Sequence, residues 1–149
     1  MQIFDTRKPM SVLFVLGTAI VIILSFWGVG FQFIKGDIRK TLDRNFESWK
    51  EKEPSSYSYK VQNGCMLTFS SNVLVIDGIA LFEHENEHDF EITIDEMFIK
   101  AKKGITQAAS IELKYDSMYF FPTSIKVDWD KDIHDDECFY YISNFKVTE

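Results

Sequence analysis

One short segment sets the architecture of the C-terminal part of the chain: residues 57–64 read Tyr-Ser-Tyr-Lys-Val-Gln-Asn-Gly. Aromatic or apolar residues alternate with polar ones, which is the period of a strand with one buried face. The closing pair Asn63-Gly64 favours a tight turn, after which Cys65 to Phe69 can return antiparallel. The segment therefore predicts an antiparallel sheet with one face on a core.

Other segments show the same signals. Val73 to Ile76 and Ile79 to Phe82 flank Asp77-Gly78, a pair typical of a two-residue hairpin turn. A short strand-like segment, Phe90 to Ile92, follows a polar connection. Three more strands are predicted nearer the C-terminus: Ile111 to Tyr115, Ser124 to Trp129 and Cys138 to Val147.

A first helix is predicted immediately before these strands. Gly36 is expected to break any preceding helix, Asp37 can cap the new one, and Pro54 ends it. The apolar positions follow a spacing of three to four residues: Ile38, Leu42, Phe46 and Trp49. This spacing indicates an amphipathic helix that packs on the sheet.

A second helix is predicted between the two groups of strands. The segment Thr93-Ile94-Asp95-Glu96 has the form of a capping box, in which the first and last side chains bond reciprocally to backbone N–H groups. The apolar stripe consists of Ile94, Met97, Phe98 and Ala101. Gly104 suits the position just beyond the helix end.

The order of these elements predicts an α+β fold with helices on one face of an antiparallel sheet. Because each helix precedes a small group of strands, two helix-plus-meander repeats remain an alternative to a single domain. Identity between the two halves is too low to establish a duplication.

The N-terminal part has a different composition. Met10 to Ile34 contains no charged residue, and 25 residues of helix rise far enough to cross a bilayer. A signal peptide usually has an apolar region of about 7 to 15 residues and a small-residue cleavage site, neither of which fits this segment. We therefore predict an N-terminal tail over 1–9, an uncleaved transmembrane signal anchor over 10–34 and a soluble domain over 35–149.

Charge excludes one class of function. From Glu53 to Glu149 there are 18 Asp and Glu against 8 Lys and Arg, a formal net charge of −10. Such a surface repels nucleic acid, so no nucleic-acid partner is predicted. The predicted partner is the lipid bilayer, which the chain contacts through Met10 to Ile34. The Lys and Arg count around the span favours a cytoplasmic domain, although long domains can cross regardless of nearby charge.

Two groups of residues suggest metal binding. His84-Glu85-Asn86-Glu87-His88 matches the H-E-x-x-H spacing of zinc hydrolases, with His84 and His88 as ligands, but its polar context is poorly patterned for the helix that this chemistry needs. The second group is an acidic patch: Asp128, Asp130, Asp132, Asp135, Asp136 and Glu137. An EF-hand is excluded because Ile133 and Phe139 stand where its Gly and bidentate Glu belong. A loose cation-binding turn and a solvated acidic turn both remain.

Aromatic residues are dense near the C-terminal strands. Tyr140 and Tyr141 are adjacent, so in a strand they point to opposite faces. One face is expected to be core, and the other is either covered or an exposed binding surface.

Several short motifs in this region resemble a bacterial family called domain of unknown function 6174. They are Trp49 with Tyr57-Ser58-Tyr59 and Cys65, Val75 to Gly78, Thr93 to Phe98, Tyr115-Asp116 through Tyr119 to Pro122, and Asp135-Asp136-Glu137. The resemblance covers roughly Phe46 to Phe145. It implies a secreted or anchored domain and supplies no activity or site.

Two departures from the family pattern matter. Members often carry a second Cys where this chain has Leu67, and a Gly where it has Phe120. The family disulfide between neighbouring cysteines therefore cannot form, and Cys65 and Cys138 are expected to be unpaired thiols.

The sequence contains no phosphate loop, nucleophile elbow or Cys and His pair at a recognisable spacing. We expect no catalytic residue and no cofactor. The predicted function is a single-pass, membrane-anchored extracytoplasmic domain with a binding or accessory role, and the alternative is a zinc-dependent hydrolase using His84 and His88.

Overall fold

A computed structural model describes the backbone of residues 9–84, 90–133 and 136–148, and their side chains except 9–12, 14 and 26–35. Contacts divide the chain into two units, Met1–Ile38 and Arg39–Glu149. The long helix α1 spans Pro9–Lys52.

The described residues of the N-terminal unit form the first part of α1. Its described apolar side chains are exposed: Leu13, Val15, Leu16, Ile20, Val21, Ile22, Ile23 and Leu24. Thr18 and Ser25 donate their hydroxyls to helix carbonyls at 3.0 and 2.8 Å. No helix within the described residues is both long and apolar enough to cross a membrane. The predicted span Met10 to Ile34 includes side chains outside that described set.

The predicted break at Gly36 is wrong, because α1 continues through Gly36 and Asp37 without interruption. A glycine inside a helix costs only about 1 kcal/mol relative to alanine, and no proline accompanies it here. The end of the helix is as predicted, since α1 stops at Lys52, just before Pro54.

In the second unit, six strands form one antiparallel sheet with the order β3-β2-β1-β6-β5-β4. The elements are β1 (Ser56–Gly64), β2 (Thr68–Ile76), β3 (Ile79–His84), α2 (Ile94–Gln107), β4 (Ser110–Tyr115), β5 (Pro122–Asp128) and β6 (Cys138–Val147). The predicted α+β class and the order of helix, strands, helix, strands are confirmed. The return segment Cys65 to Phe69 enters β2 at Thr68 and continues through Val73 to Ile76 as one strand, so the first group has three strands. The segment Phe90 to Ile92 is not a strand.

Each group of three strands is a meander, and the two meet where β1 pairs with β6. We call β1–β3 the first half of the sheet and β4–β6 the second half. The first half therefore ends at β3 and the second at β4, so these are the two edge strands.

Trp49 of α1 joins both halves to the helices. Its fully buried indole makes edge contacts with Tyr57 of the first half and with Phe121 and Phe145 of the second, at centroid distances of 5.6, 5.5 and 6.3 Å. The indole Nε1 donates to the Asp95 carboxylate at 3.2 Å. The end of α1 is thus fixed to the sheet and to the start of α2.

A β-bulge directs one of these aromatic rings into the core. The register between β1 and β6 shifts after Ser58, and Asn144 adopts a positive φ of 56°. Because the extra residue inverts the side-chain alternation, Phe145 faces the helices and lies 4.7 Å from the Phe121 ring. Asparagine tolerates a positive φ better than most residues do.

The capping box of α2 is confirmed. Glu96 N donates to Thr93 Oγ1 at 3.2 Å, and Thr93 N donates to Glu96 Oε2 at 2.7 Å. The predicted apolar stripe is buried along its whole length: Ile94, Met97, Phe98 and Ala101.

The predicted role of Gly104 is wrong, because α2 continues to Gln107. A Cβ at Gly104 would lie 2.6 Å from Ile111 Cδ1 and 3.2 Å from Val127 Cγ2. The glycine therefore allows α2 to approach β4 and β5 closely, and it does not end the helix.

The prediction of two unpaired thiols is also wrong. Cys65 and Cys138 form a disulfide, with Cα atoms 4.2 Å apart. Gly64 pairs with Phe139 across β1 and β6, so the next position on each strand brings the two cysteines together. The disulfide links the β1–β2 loop of the first half to the start of β6 in the second.

Candidate binding surface

Within the described residues, both helices pack on the same face of the sheet. The core side chains of the strands point toward them, as shown by Tyr57, Val61, Val73, Ile125 and Ile142, all buried. The opposite side chains form what we call the open face. Its members include Ser58, Lys60, Gln62, Asn72, Leu74, Ile76, Ile79, Leu81, Glu83, Glu112, Lys114, Lys126, Phe139, Tyr141 and Lys146.

Four aliphatic side chains cluster on the open face at β2 and β3. Leu74 pairs with Leu81 and Ile76 pairs with Ile79, and their exposed fractions are 38, 54, 45 and 67%. We call these four residues the apolar patch. The hairpin that carries it has the predicted tight turn, in which Asp77 and Gly78 both have positive φ.

The second half of the open face is charged instead. Glu112 and Lys114 of β4 form an exposed ion pair at 3.3 Å, and Lys126 lies opposite Glu112 on β5. Between the charged and apolar regions, the Phe139 ring packs against the Tyr141 ring in a tilted arrangement, with ring centroids 5.0 Å apart. Tyr141 lies on the open face while Tyr140 is buried below the helices, as their adjacent positions predicted.

An open groove of about 670 Å³ crosses the first half of the same face. Leu74 and Leu81 of the apolar patch line one side, while Lys60 and Lys146 line the other. The open face therefore offers aliphatic contacts next to polar and cationic ones, a combination that suits binding to a partner.

The tyrosines with shifted pKa values belong to the core. Burial raises the pKa of Tyr57, whose hydroxyl donates to Glu53 at 2.9 Å, and burial raises the pKa of Tyr59, which donates to the Ile92 carbonyl at 3.2 Å. Burial also raises the pKa of Tyr115 to about 12. These hydroxyls remain protonated at neutral pH, and those of Tyr57 and Tyr59 serve as structural hydrogen-bond donors.

Lys50, near the end of α1, connects that helix to α2. Burial lowers its pKa, but hydrogen bonds to the carboxylates of Asp95 and Glu53, at 2.6 and 3.0 Å, outweigh that effect and raise the pKa overall. Asp95 accepts from Lys50 through one oxygen and from Trp49 through the other. This network holds the two helices together.

The first residue of the H-E-x-x-H motif lies in a strand. His84 ends β3, its Nδ1 lies 3.1 Å from Ser71 Oγ, and its Nε2 lies 3.7 Å from Glu91 Oε1. The remaining motif residues, including His88, lie outside the described part of the chain. Nothing in the structure supports the zinc alternative.

The acidic patch follows β5 in a tight turn. Asp130 Oδ1 accepts from the Asp132 N–H at 3.0 Å, and the Asp130 carbonyl accepts from the Ile133 N–H at 3.1 Å. Asp135 lies outside the described residues. Among those described, no three His, Cys, Asp or Glu side chains are placed to hold a metal ion. Cation binding by the acidic patch stays a prediction.

Sequence reasoning missed the apolar patch, although a signal was present. Val73 to Ile76 and Ile79 to Phe82 are continuous apolar runs, and a strand that is apolar at every position has two apolar faces. Only one of those faces is covered in the described structure, so the second becomes the patch.

The residues that carried the family resemblance have structural positions. Trp49 is core, Asp77 and Gly78 form a turn, and Thr93 with Glu96 caps α2. Asp116 accepts the backbone N–H groups of Met118 and Tyr119 at 2.8 and 2.7 Å and so shapes the β4–β5 connection.

Comparison with known proteins agrees with that resemblance. No curated protein and no solved structure matches this chain. One family model does match, and it covers residues 41–147, nearly the whole sheet domain with the end of α1. The chain belongs to the family of unknown function DUF6174.

Proposed function

We propose that this chain is a single-pass membrane protein whose sheet domain lies outside the cytoplasm and binds a protein partner through the open face without catalysing a reaction. The observation that carries the proposal is the apolar patch. Four aliphatic side chains at 38 to 67% exposure lie side by side on two paired strands. A contiguous apolar surface of this kind is typical of interaction sites.

Membrane anchoring is supported by the N-terminal sequence. The 25 residues from Met10 to Ile34 carry no charge, and the described apolar side chains of this part of α1 are exposed in every direction around the helix. A helix that is apolar all round needs an apolar surrounding. A bilayer supplies that surrounding.

The extracytoplasmic side is supported by the disulfide between Cys65 and Cys138. Disulfides form and persist in oxidising compartments and are rare in the cytosol. This argument opposes the Lys and Arg count, which long translocated domains need not follow.

Topology is tested with reporters fused after Glu149. We expect a reporter that is active only outside the cytoplasm to be active in membrane fractions, and a cytoplasm-only reporter to be silent. Activity of the cytoplasmic reporter would reverse the placement, and recovery of the chain in the soluble fraction would remove the anchor.

Binding is tested separately, with a photo-crosslinking residue at Leu74 in the full chain. The matched control places the same residue at Ile99, an aliphatic residue of α2 that is 65% exposed. We expect a discrete protein adduct from position 74 in intact cells and none from position 99. Equal labelling at the two positions, or none at either, would contradict binding through the open face.

A further inference from the structure

The backbone of β3 is arranged to accept another strand. Ile76 and Ile79 flank the two-residue turn, so they form a hydrogen-bonded pair, and such pairs alternate along an antiparallel ladder. The backbone N–H and C=O groups of Leu81 therefore hydrogen-bond to β2, whereas those of Ala80 and Phe82 point away from the sheet. In the part of the chain that the structure describes, no further strand pairs with these groups.

Within the described residues, several of the usual protections are missing from this edge. β3 contains no proline and no shift of register against β2, and its charged residue, Glu83, lies near the end of the strand beyond the aliphatic segment Ile79 to Phe82. Edge strands commonly carry lysine, proline or a bulge that prevents pairing with another chain. The other edge, β4, has Glu112 and Lys114 on its open face.

We infer that β3 pairs antiparallel with β3 of a second copy of this chain, about a two-fold axis at Leu81. This inference goes beyond the proposed function, because it requires only the described sheet domain. It joins two six-stranded sheets into one continuous sheet with a single extended open face.

The register follows from the outward backbone groups. Ala80 of one copy faces Phe82 of the other, and the two residues exchange both backbone hydrogen bonds on each side of the axis. On the helix side, the small alanine side chain lies against the large phenylalanine ring. The strand therefore complements itself in both hydrogen bonding and side-chain size.

The same register joins the two apolar patches. Leu81 meets its own copy on the axis, with Cα atoms about 4.5 Å apart as in any non-hydrogen-bonded pair. Glu83 lies opposite Ile79 of the second copy, so no like charges face each other directly. The net charge of −10 from Glu53 to Glu149 opposes association, but charges beyond about 8 Å are largely screened at physiological ionic strength.

The experiment is cysteine cross-linking of the full chain in detergent and in intact cells, with the native disulfide left in place. Leu81→Cys is expected to give a covalent dimer under mild oxidation, because the two sulfurs meet on the axis. Ile79→Cys or Glu83→Cys alone should not cross-link, whereas the two variants mixed should. Lys114→Cys on the opposite edge is the matched control and should stay monomeric.

A second measurement does not depend on new cysteines. Sedimentation of the wild-type chain is expected to show twice the monomer mass, and Leu81→Lys is expected to restore the monomer because two ammonium groups would meet on the axis. Ile99→Lys is the control for adding a lysine at an exposed aliphatic position, and it should leave the dimer intact.

Three results would overturn the inference. They are a monomeric wild-type chain, equal cross-linking at positions 81 and 114, or a cross-linked adduct at position 81 whose mass is that of another protein. The last result would leave binding through the open face standing and would remove only the second copy as its partner.

Discussion

The two halves of the sheet are built alike and end differently. Each is a three-stranded meander that follows a helix, and each contributes one edge strand. The first half ends in β3, whose open face carries Ile79, Leu81 and, near the strand end, Glu83, while the second ends in β4, whose open face carries Glu112 and Lys114. Charged side chains protect an edge strand from pairing, so the largely aliphatic edge at β3 is the one that we interpret as an interaction site.

The turns inside the two halves also differ. Asp77-Gly78 in the first half places residues suited to positive φ where the hairpin needs them. In the second half, the β4–β5 connection places Phe120 at a φ of 67°, which is unfavourable for a bulky side chain. The lysine ammonium of Lys52 lies 4.5 Å from the centre of the Phe120 ring and compensates in part.

The largest expected effect comes from separating the halves at the disulfide. Replacing both Cys65 and Cys138 by alanine is expected to lower the free energy of unfolding by about 2–4 kcal/mol, because a loop of 73 residues is no longer closed in the unfolded chain. Urea denaturation measures the change. Reduction of the wild-type protein should give a similar loss, and adding reductant to the double variant should change nothing further. An unchanged midpoint in both cases would show that the halves are held together without the disulfide.

The next effect concerns α2, which packs against β4 and β5 of the second half. Thr93→Ala is expected to cost about 0.5–2 kcal/mol, because the Glu96 N–H loses its acceptor at the start of the helix. Thermal unfolding followed by circular dichroism measures this loss. Thr93→Ser keeps the hydroxyl and serves as the control, so it should retain most of the stability. Equal losses for the two variants would place the cause outside the cap.

A smaller effect is expected at Phe120, where the two halves differ in turn chemistry. Phe120→Gly should be more stable than Phe120→Ala by about 1 kcal/mol, because both lack the ring and only glycine adopts positive φ without cost. Comparison of the two variants by urea denaturation separates the effect of the positive φ on the free energy of unfolding from the loss of the contact with Lys52. A more stable alanine variant would mean that the connection does not hold this conformation in solution.

Local patterns predicted most of the elements of the fold. The alternation at Tyr57 to Val61, the Asp77-Gly78 turn and the Thr93–Glu96 box all lie where expected, because each depends on residues close together in the chain. The pairing of β1 with β6 could not be predicted in this way, since it depends on how two distant halves meet. The missed disulfide follows from that pairing, because Cys65 and Cys138 become neighbours only through it.

The apolar patch on the open face escaped prediction for a related reason. Leu74 and Leu81 look like core residues in the sequence, and nothing local shows that both helices pack on the other side. Gly104 was misread likewise, because the side chains that require it, Ile111 and Val127, lie on strands that follow it in the chain. The residues that carried the family resemblance could be recognised in the sequence because they shape turns, caps and core, whereas an exposed surface depends on which elements pack over it.

The most direct test of the comparison is to make the second edge resemble the first. Replacing Glu112 and Lys114 of β4 by leucine removes an exposed ion pair and leaves the core untouched, so the free energy of unfolding should change by no more than about 0.5 kcal/mol. Association should nevertheless increase, because the double variant has two bare edges and can form chains of sheets longer than a dimer. Sedimentation at matched concentrations would show species larger than the wild-type assembly.

The control replaces exposed helix residues of the same charges, Asp43 and Lys102, by leucine, which adds equal apolar surface without altering an edge. If the control associates as strongly as the β4 variant, exposed leucine alone is responsible, and the charges on β4 do not distinguish the two edges.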